Sequence, residues 1–241
     1  MDNRINNELE HGKKLLAEGA EAVWNWDSPA GRVRADRRAE LLAKFSNIKP
    51  GETALEIGCG TGLFSNKFRN LTQAKVVATD LSPELLEVAR QKYTGIEFKL
   101  EDAMNLSFAD NRFQVVFGSS VLHHLDFQKS LKQIYRVLKP GGKMVFAEPN
   151  MINPQIFIQK NIPFIKKWLG DSPDETAIVR WKFKKLLEEN GFKNVIIIPY
   201  DFLHPVVPSF LISLVNGTGK IIERIPVARE IAGSVIISAM K

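Results

Sequence analysis

A doubly wound α/β fold on a mostly parallel sheet is what this 241-residue sequence predicts, and three observations carry the prediction. The first is the stretch from Thr53 to Leu63. There a short apolar run ends in glycines at alternate positions, Gly58, Gly60 and Gly62, followed by Leu63, Phe64 and Phe68 at helical spacing. The second is the alternation of strand-like and helix-like segments that continues behind it. The third is that Asp80, Asp102, Ser119 and Glu148 close successive strands, which puts them on one edge of such a sheet.

Residues 1 to about 46 read as a mostly helical cap, broken at Ser28-Pro29-Ala30-Gly31, with helix-like packing positions from Arg34 to Phe45. Trp24 and Trp26 precede the break and suit either a core or a pocket border. Lys49-Pro50-Gly51 turns the chain into the first strand, Thr53 to Ile57. A helix from Thr61 to Asn70 leads to strand Lys75 to Thr79, ending at Asp80. Ser82 and Pro83 form an N-cap signal for a helix to Tyr93. Strand Ile96 to Leu100 runs into Glu101-Asp102-Ala103, and strand Phe113 to Phe117 into Gly118, Ser119, Ser120 and the pair His123-His124. Leu131 to Leu138 is amphipathic, Lys139-Pro140-Gly141-Gly142 is a turn, and strand Lys143 to Ala147 ends at Glu148. A helix from Glu175 to Glu189, a strand from Val195 to Pro199 and a last strand from Ser234 to Ala239 complete the pattern.

Strand, glycine turn and helix is the geometry that brings backbone N–H groups and a helix N-terminus to a ligand at close range. The spacing excludes two common ligands. A dinucleotide fingerprint would need its third glycine where Leu63 stands, and a phosphate loop would need a Gly-Lys-Ser/Thr that is absent. Glu56 before the turn would repel a pyrophosphate and suits a ligand with positive charge. Glu56-Ile57-Gly58-Cys59-Gly60-Thr61-Gly62 resembles motif I of the class I S-adenosylmethionine-dependent methyltransferases, in particular the small-molecule methyltransferase type 11-like group.

That resemblance, specific over about residues 53–150 and architectural over 175–241, implies seven strands in the order 3-2-1-4-5-7-6 with the last strand antiparallel. It implies one domain: a cap (1–46), a cofactor-binding core (47–150) and acceptor-side insertions after strands 5 and 6 (151–174 and 201–231). S-adenosyl-L-methionine is the implied cofactor and S-adenosyl-L-homocysteine its product. Glu56, Gly58, Cys59, Gly60, Gly62 and Ser119 would border it. Asp80, about twenty residues past the glycines, would accept from the ribose hydroxyls, Leu81 would wall the adenine, and Asp102 with the Ala103 amide would meet its edge. Gln114 stands where many members have an acid, at the strand end remote from the ligand. Cys59, between glycines, reads as a small residue that fits and not as a nucleophile.

Methyl transfer to a hydroxyl needs a base near neutral pH, and His123 and His124, two of only four histidines, stand just past the fourth strand. One or both serve as base, or one caps the following helix. Glu148 would orient a histidine or bind the acceptor. The expected acceptor is a small, partly hydrophobic molecule methylated at a hydroxyl oxygen. An RNA or protein methyltransferase, or a non-catalytic cofactor-binding protein, is the alternative.

Composition narrows these readings. The net charge of +6 favours anionic partners weakly, and its one cluster, Arg32, Arg34, Arg37 and Arg38, is either a solvated face or a contact to an anionic acceptor or the cofactor carboxylate. The Asn/Asp-Pro-Pro-aromatic motif is missing after strand 4, and a single cysteine excludes two-cysteine base methylation, so nucleic acid is not the expected partner. No metal cluster is visible. The polar N-terminus and the lack of any run of ~20 apolar residues point to a cytoplasmic protein without a transmembrane segment. The apolar insertions, with Lys160, Lys166 and Lys167 interleaved in the first, would form a lid, lie on a membrane surface or simply pack. Oligomeric state is not legible.

Overall fold

A computed structural model describes residues 10, 12–14, 16, 17, 19–168 and 176–241, the side chains of 167 and 168 excepted. Residues 1–9, 11, 15 and 18 of the expected cap lie outside the described residues. So do 169–175; the helix expected from Glu175 begins at Arg180, because Ile178 pairs with Asn150 as a β-bridge instead. Seven strands form one sheet: β1 (Thr53–Ile57), β2 (Lys75–Asp80), β3 (Glu97–Leu100), β4 (Phe113–Ser119), β5 (Leu138–Pro149), β6 (Lys193–Tyr200) and β7 (Ser234–Met240). Their order is β3-β2-β1-β4-β5-β7-β6. The first five are parallel, and β7 runs antiparallel between β5 and β6, as the sequence predicts.

Helices cover both faces: α1 (Ala20–Val23), α2 (Pro29–Ser46), α3 (Leu63–Thr72), α4 (Pro83–Lys92), α5 (Phe127–Val137), α6 (Pro154–Asn161), α7 (Pro163–Trp168), α8 (Arg180–Glu189) and α9 (Ile212–Ile222). The two-residue period of the strands divides the core. Leu55, Ile57, Met144 and Phe146 pack with Leu131 and Ile134 of α5 and Phe183 and Leu187 of α8. Ala54, Val115, Phe117 and Val145 face α2, α3 and α4, where Phe68 stacks on Phe117 at 4.0 Å between ring centroids. Fully burying one such aromatic ring is worth about 3 kcal/mol, so this stack helps fix α3 behind the glycine turn.

Three expectations about boundaries change. Ser28-Pro29 is a helix start and not a break: the Ser28 hydroxyl accepts from Gly31 N–H at 2.9 Å and Pro29 takes the first turn, so α2 begins five residues before Arg34. Asp126 caps α5 through Lys129 N–H at 3.0 Å, which moves that helix start from Leu131 to Phe127. The Lys139–Gly142 turn is absorbed into β5 as a bulged excursion, since Leu138 pairs with Phe113 and Lys143 with Val115.

Candidate active site

β1 lies between β2 and β4, so the chain's winding reverses there and leaves a crevice at the strand C-termini. The glycine turn occupies it. Gly58 and Gly60 adopt φ +67° and +51°, where side chains strain the backbone. A Cβ on Gly58 would sit 2.3 Å from Val121 Cγ2, and one on Gly60 2.9 Å from the Trp24 ring. The turn is tied down by Cys59 N–H donating to the Thr79 carbonyl at 2.9 Å. Gly60 N–H also donates to an Asp80 oxygen at 2.7 Å, and Ser82 N–H to the other at 2.9 Å.

Above the turn opens a cavity of about 450 Å³. One end is bordered by Asp80, Leu81, Leu85, Asp102, Ala103 and Met104, a pair of acids set in apolar walls. The other end is bordered by Trp26, Arg34, Arg38, His124, Gln159 and Lys160. The expected residues Gly58, Cys59, Gly60 and Ser119 also line it, whereas Gly62 lies just beneath, against Tyr93 and Phe98. The Asp102 carboxylate accepts from Met104 N–H at 2.8 Å, which holds the loop beyond β3 in place. Burial, with Asp80 and Glu56 nearby, pushes the Cys59 thiol well above its ordinary range, so it stays a neutral spacer. The donor set fits S-adenosylmethionine: a glycine turn with no room for a Cβ at Gly58 or Gly60, the acids Asp80 and Asp102 on the cavity lining, and apolar Leu81, Leu85 and Met104 beside them.

Glu56 departs from expectation. The strand period turns it, with Ala54, away from the cavity and toward α3, where it accepts a short hydrogen bond from the Ser65 hydroxyl. Burial, opposed by Ser65 and helped by the Asp80 charge, pushes its carboxyl from the usual 4.5 up to about 8. A folded-state pKa above the unfolded one means stability is lost as pH rises through that interval. The parent should therefore lose stability relative to Glu56→Gln between pH of about 4.5 and about 8. Melting temperatures across that range check it, and a constant offset between the two proteins would refute it.

The histidines divide their positions. His123 is 5% exposed and its Nδ1 lies 2.7 Å from Glu148 Oε2, while Glu148, wholly buried, also accepts from Val121 and Leu122 N–H through Oε1 at 3.0 and 2.9 Å. This pair sits behind the β4 end and does not reach the cavity. His124, its ring centroid 4.2 Å from that of His123, does. Burial, then the neighbouring His124, hold the His123 pKa below its ordinary value against the pull of Glu148. Burial works to raise Glu148, but its three N–H donors hold it lower.

Of the arginine cluster, for which a solvated face and a contact to the acceptor or the cofactor carboxylate were both open, Arg34 and Arg38 line the cavity, and Arg38 is the more buried. It is 3% exposed and donates to the hydroxyls of Ser119 (3.1 Å), Ser120 (2.7 Å) and Ser234 (2.9 Å) beneath the Trp26 ring. No carboxylate pairs with it among the described residues. One turn earlier, Arg34 lies over the same ring and pairs with Asp201 at 2.8 Å. The i, i+4 spacing of two arginines after a tryptophan was the available signal.

Comparison with known proteins agrees with this geometry. The family model for a methyltransferase domain matches residues 55–146. The chain is 34% identical over 178 residues to a demethylmenaquinone methyltransferase of Lactobacillus johnsonii, covering 64% of this chain and 73% of that one. It is 27% identical over 163 residues to an uncharacterized methyltransferase-like protein of Schizosaccharomyces pombe, covering 68% of this chain but only 62% of the relative. Phosphoethanolamine N-methyltransferase 2 of Haemonchus contortus, solved with S-adenosyl-L-methionine, shares the fold at TM-score 0.64 and 20% identity, over 92% of this chain and 55% of that one. Glycine cradle, edge acids, sheet order and sequence relatives together make this chain a class I S-adenosylmethionine-dependent methyltransferase of the methyltransferase-domain family.

Proposed function

We propose that the enzyme methylates a hydroxyl oxygen of a small, partly hydrophobic molecule, with His124 as the base. The observation that carries this reading is the asymmetry of the histidine pair: His123 is locked to Glu148, and His124 alone faces the cavity. When bound, the cofactor supplies an electrophilic methyl group on a sulfonium. The residues do the rest. Asp80 would hold the ribose, Leu81 the adenine face, and Asp102 with the Ala103 amide the adenine edge. Gly58, Gly60 and Gly62 leave room for close approach, with Cys59 as spacer and Ser119 beside the sulfonium.

In this reading Arg38 holds the cofactor's carboxylate, the anion that its buried guanidinium lacks among the described side chains. His124 accepts the acceptor's hydroxyl proton as its oxygen attacks. His123 and Glu148 are positioning residues that fix the backbone carrying His124. Trp26, Ile156 and Pro149 give the acceptor end an apolar wall, and the curated relative named for demethylmenaquinone supports an acceptor of that partly hydrophobic character.

The test is a screen of phenols and hydroxyquinones against amines and thiols, followed by His124→Ala on the best acceptor. The expected result is loss of kcat by about 10²- to 10³-fold with cofactor affinity unchanged. Full activity in His124→Ala, or turnover of amines alone, would remove the hydroxyl assignment.

A further inference from the structure

Sheet order acts as a ruler along the cavity. Neighbouring strands lie about 4.8 Å apart, so the order β3-β2-β1-β4-β5-β7-β6 spreads the strand ends along one edge in that sequence. The acids among the described lining residues, Asp80, Glu101 and Asp102, all stand at the ends of β2 and β3. Arg38 lies over β4 and β7, through the hydroxyls of Ser119, Ser120 and Ser234. Arg34, one turn earlier on α2, reaches further still, because its partner Asp201 directly follows the last residue of β6. The wall beyond Arg38 is therefore cationic, and no acid borders the cavity there among the described residues.

Arg34 is aimed by its surroundings and not used up by them. Asp201, buried and off the cavity lining, accepts only the Nε–H of Arg34, at 2.8 Å through Oδ2. Its other carboxylate oxygen accepts from Leu203 N–H at 3.2 Å. Its own N–H donates to Glu223 at 2.9 Å, and its carbonyl accepts from Gly233 N–H at 2.8 Å, so the anchor cannot drift. Trp26, packed edge-on against Phe64, backs the guanidinium of Arg34 at 5.4 Å. The Nη1–Nη2 edge of Arg34 is left without a hydrogen bond among the described residues, on a residue that lines the cavity. Two parallel N–H groups on a planar edge match the two oxygens of a carboxylate. Arg38 differs, since both of its Nη groups already donate to serine hydroxyls.

We propose that Arg34 receives a carboxylate of the acceptor, so that the substrate is a hydroxy acid with an apolar body lying against Trp26 and Ile156. This rests on the reading of that end of the cavity as the acceptor end. The full chain, loaded with S-adenosylhomocysteine, would be titrated calorimetrically with 4-hydroxycinnamate and 4-hydroxyphenylacetate, and with the amide of each. Each acid is expected to bind at least about tenfold more tightly than its amide. Arg34→Gln with Asp201→Asn removes the fork without stranding a buried carboxylate. It should bring that ratio to about one, with S-adenosylhomocysteine affinity unchanged. Arg34→Lys keeps the charge and the partner for Asp201, and serves should the double variant fail to fold. It should lower the ratio at least about threefold, because an ammonium lacks the planar edge. Acids that bind no more tightly than their amides in the parent, or the full ratio in these variants, would overturn the proposal. So would a loss of S-adenosylhomocysteine affinity in the variants at an unchanged melting temperature, which would give Arg34 to the cofactor. The readout is binding, so turnover of amines in the acceptor screen would strike the hydroxyl assignment and not the role of Arg34.

Discussion

Asp80→Ala should lower the affinity for S-adenosylmethionine by about 10²- to 10⁴-fold, since two hydrogen bonds to a charged group are each worth about 1.5–3 kcal/mol. The side chain has two tasks in the structure. Its carboxylate accepts from Gly60 and Ser82 N–H, joining the glycine turn to the tip of β2, and it borders the cavity where a ribose would lie. A carboxylate has about four acceptor positions, so both tasks are compatible.

The two contributions separate by experiment. Calorimetry with S-adenosylhomocysteine and its 2′- and 3′-deoxyribose analogues forms a double-mutant cycle with Asp80→Ala. If Asp80 meets the hydroxyls, the parent discriminates against the deoxy analogues and the variant does not. Discrimination that survives the substitution would assign Asp80 to the turn alone and place the ribose elsewhere.

Much of this site was legible because its parts are local. The glycine turn, Asp80 and Asp102 each follow a strand whose apolar run marks its own end, and parallel winding brings those ends to one edge without further information. What sequence could not give depends on direction or distant register. Glu56 was read by proximity to the glycines, yet strand alternation turns it toward Ser65. Arg38 finds Ser234 only because β7 pairs antiparallel with β5, matching Ser234 to Pro149. Two adjacent histidines look equivalent in a sequence. A short 3₁₀ turn over Leu122–His124 separates them, so one meets a buried carboxylate and the other the cavity.

That separation sets the second large effect. Glu148→Ala should destabilise the protein by about 3–5 kcal/mol, because it strands two backbone N–H groups and the His123 ring in a buried site. For a chain of this size each kcal/mol shifts the melting temperature by about 2–4 °C, so a fall of about 6–20 °C is expected. The pH dependence has a defined sign. Both His123 and Glu148 titrate below their ordinary values in the folded protein, so on acidification the unfolded chain takes up protons first and stability falls. The loss begins below the usual histidine value of 6.5 and deepens below the usual carboxyl value of 4.5, as each folded-state pKa is approached. Glu148→Gln keeps the size of the side chain and removes its charge, so the deeper acid limb should flatten while the histidine limb remains. Its kcat should fall with cofactor affinity unchanged, because the backbone bearing His124 loses its anchor and the cofactor end of the cavity does not. Thermal melts from pH about 4 to 8, paired with calorimetry at neutral pH, read both effects. An unaltered acid limb in Glu148→Gln would mean another group sets it, and the His123–Glu148 pair would then be a packing contact only.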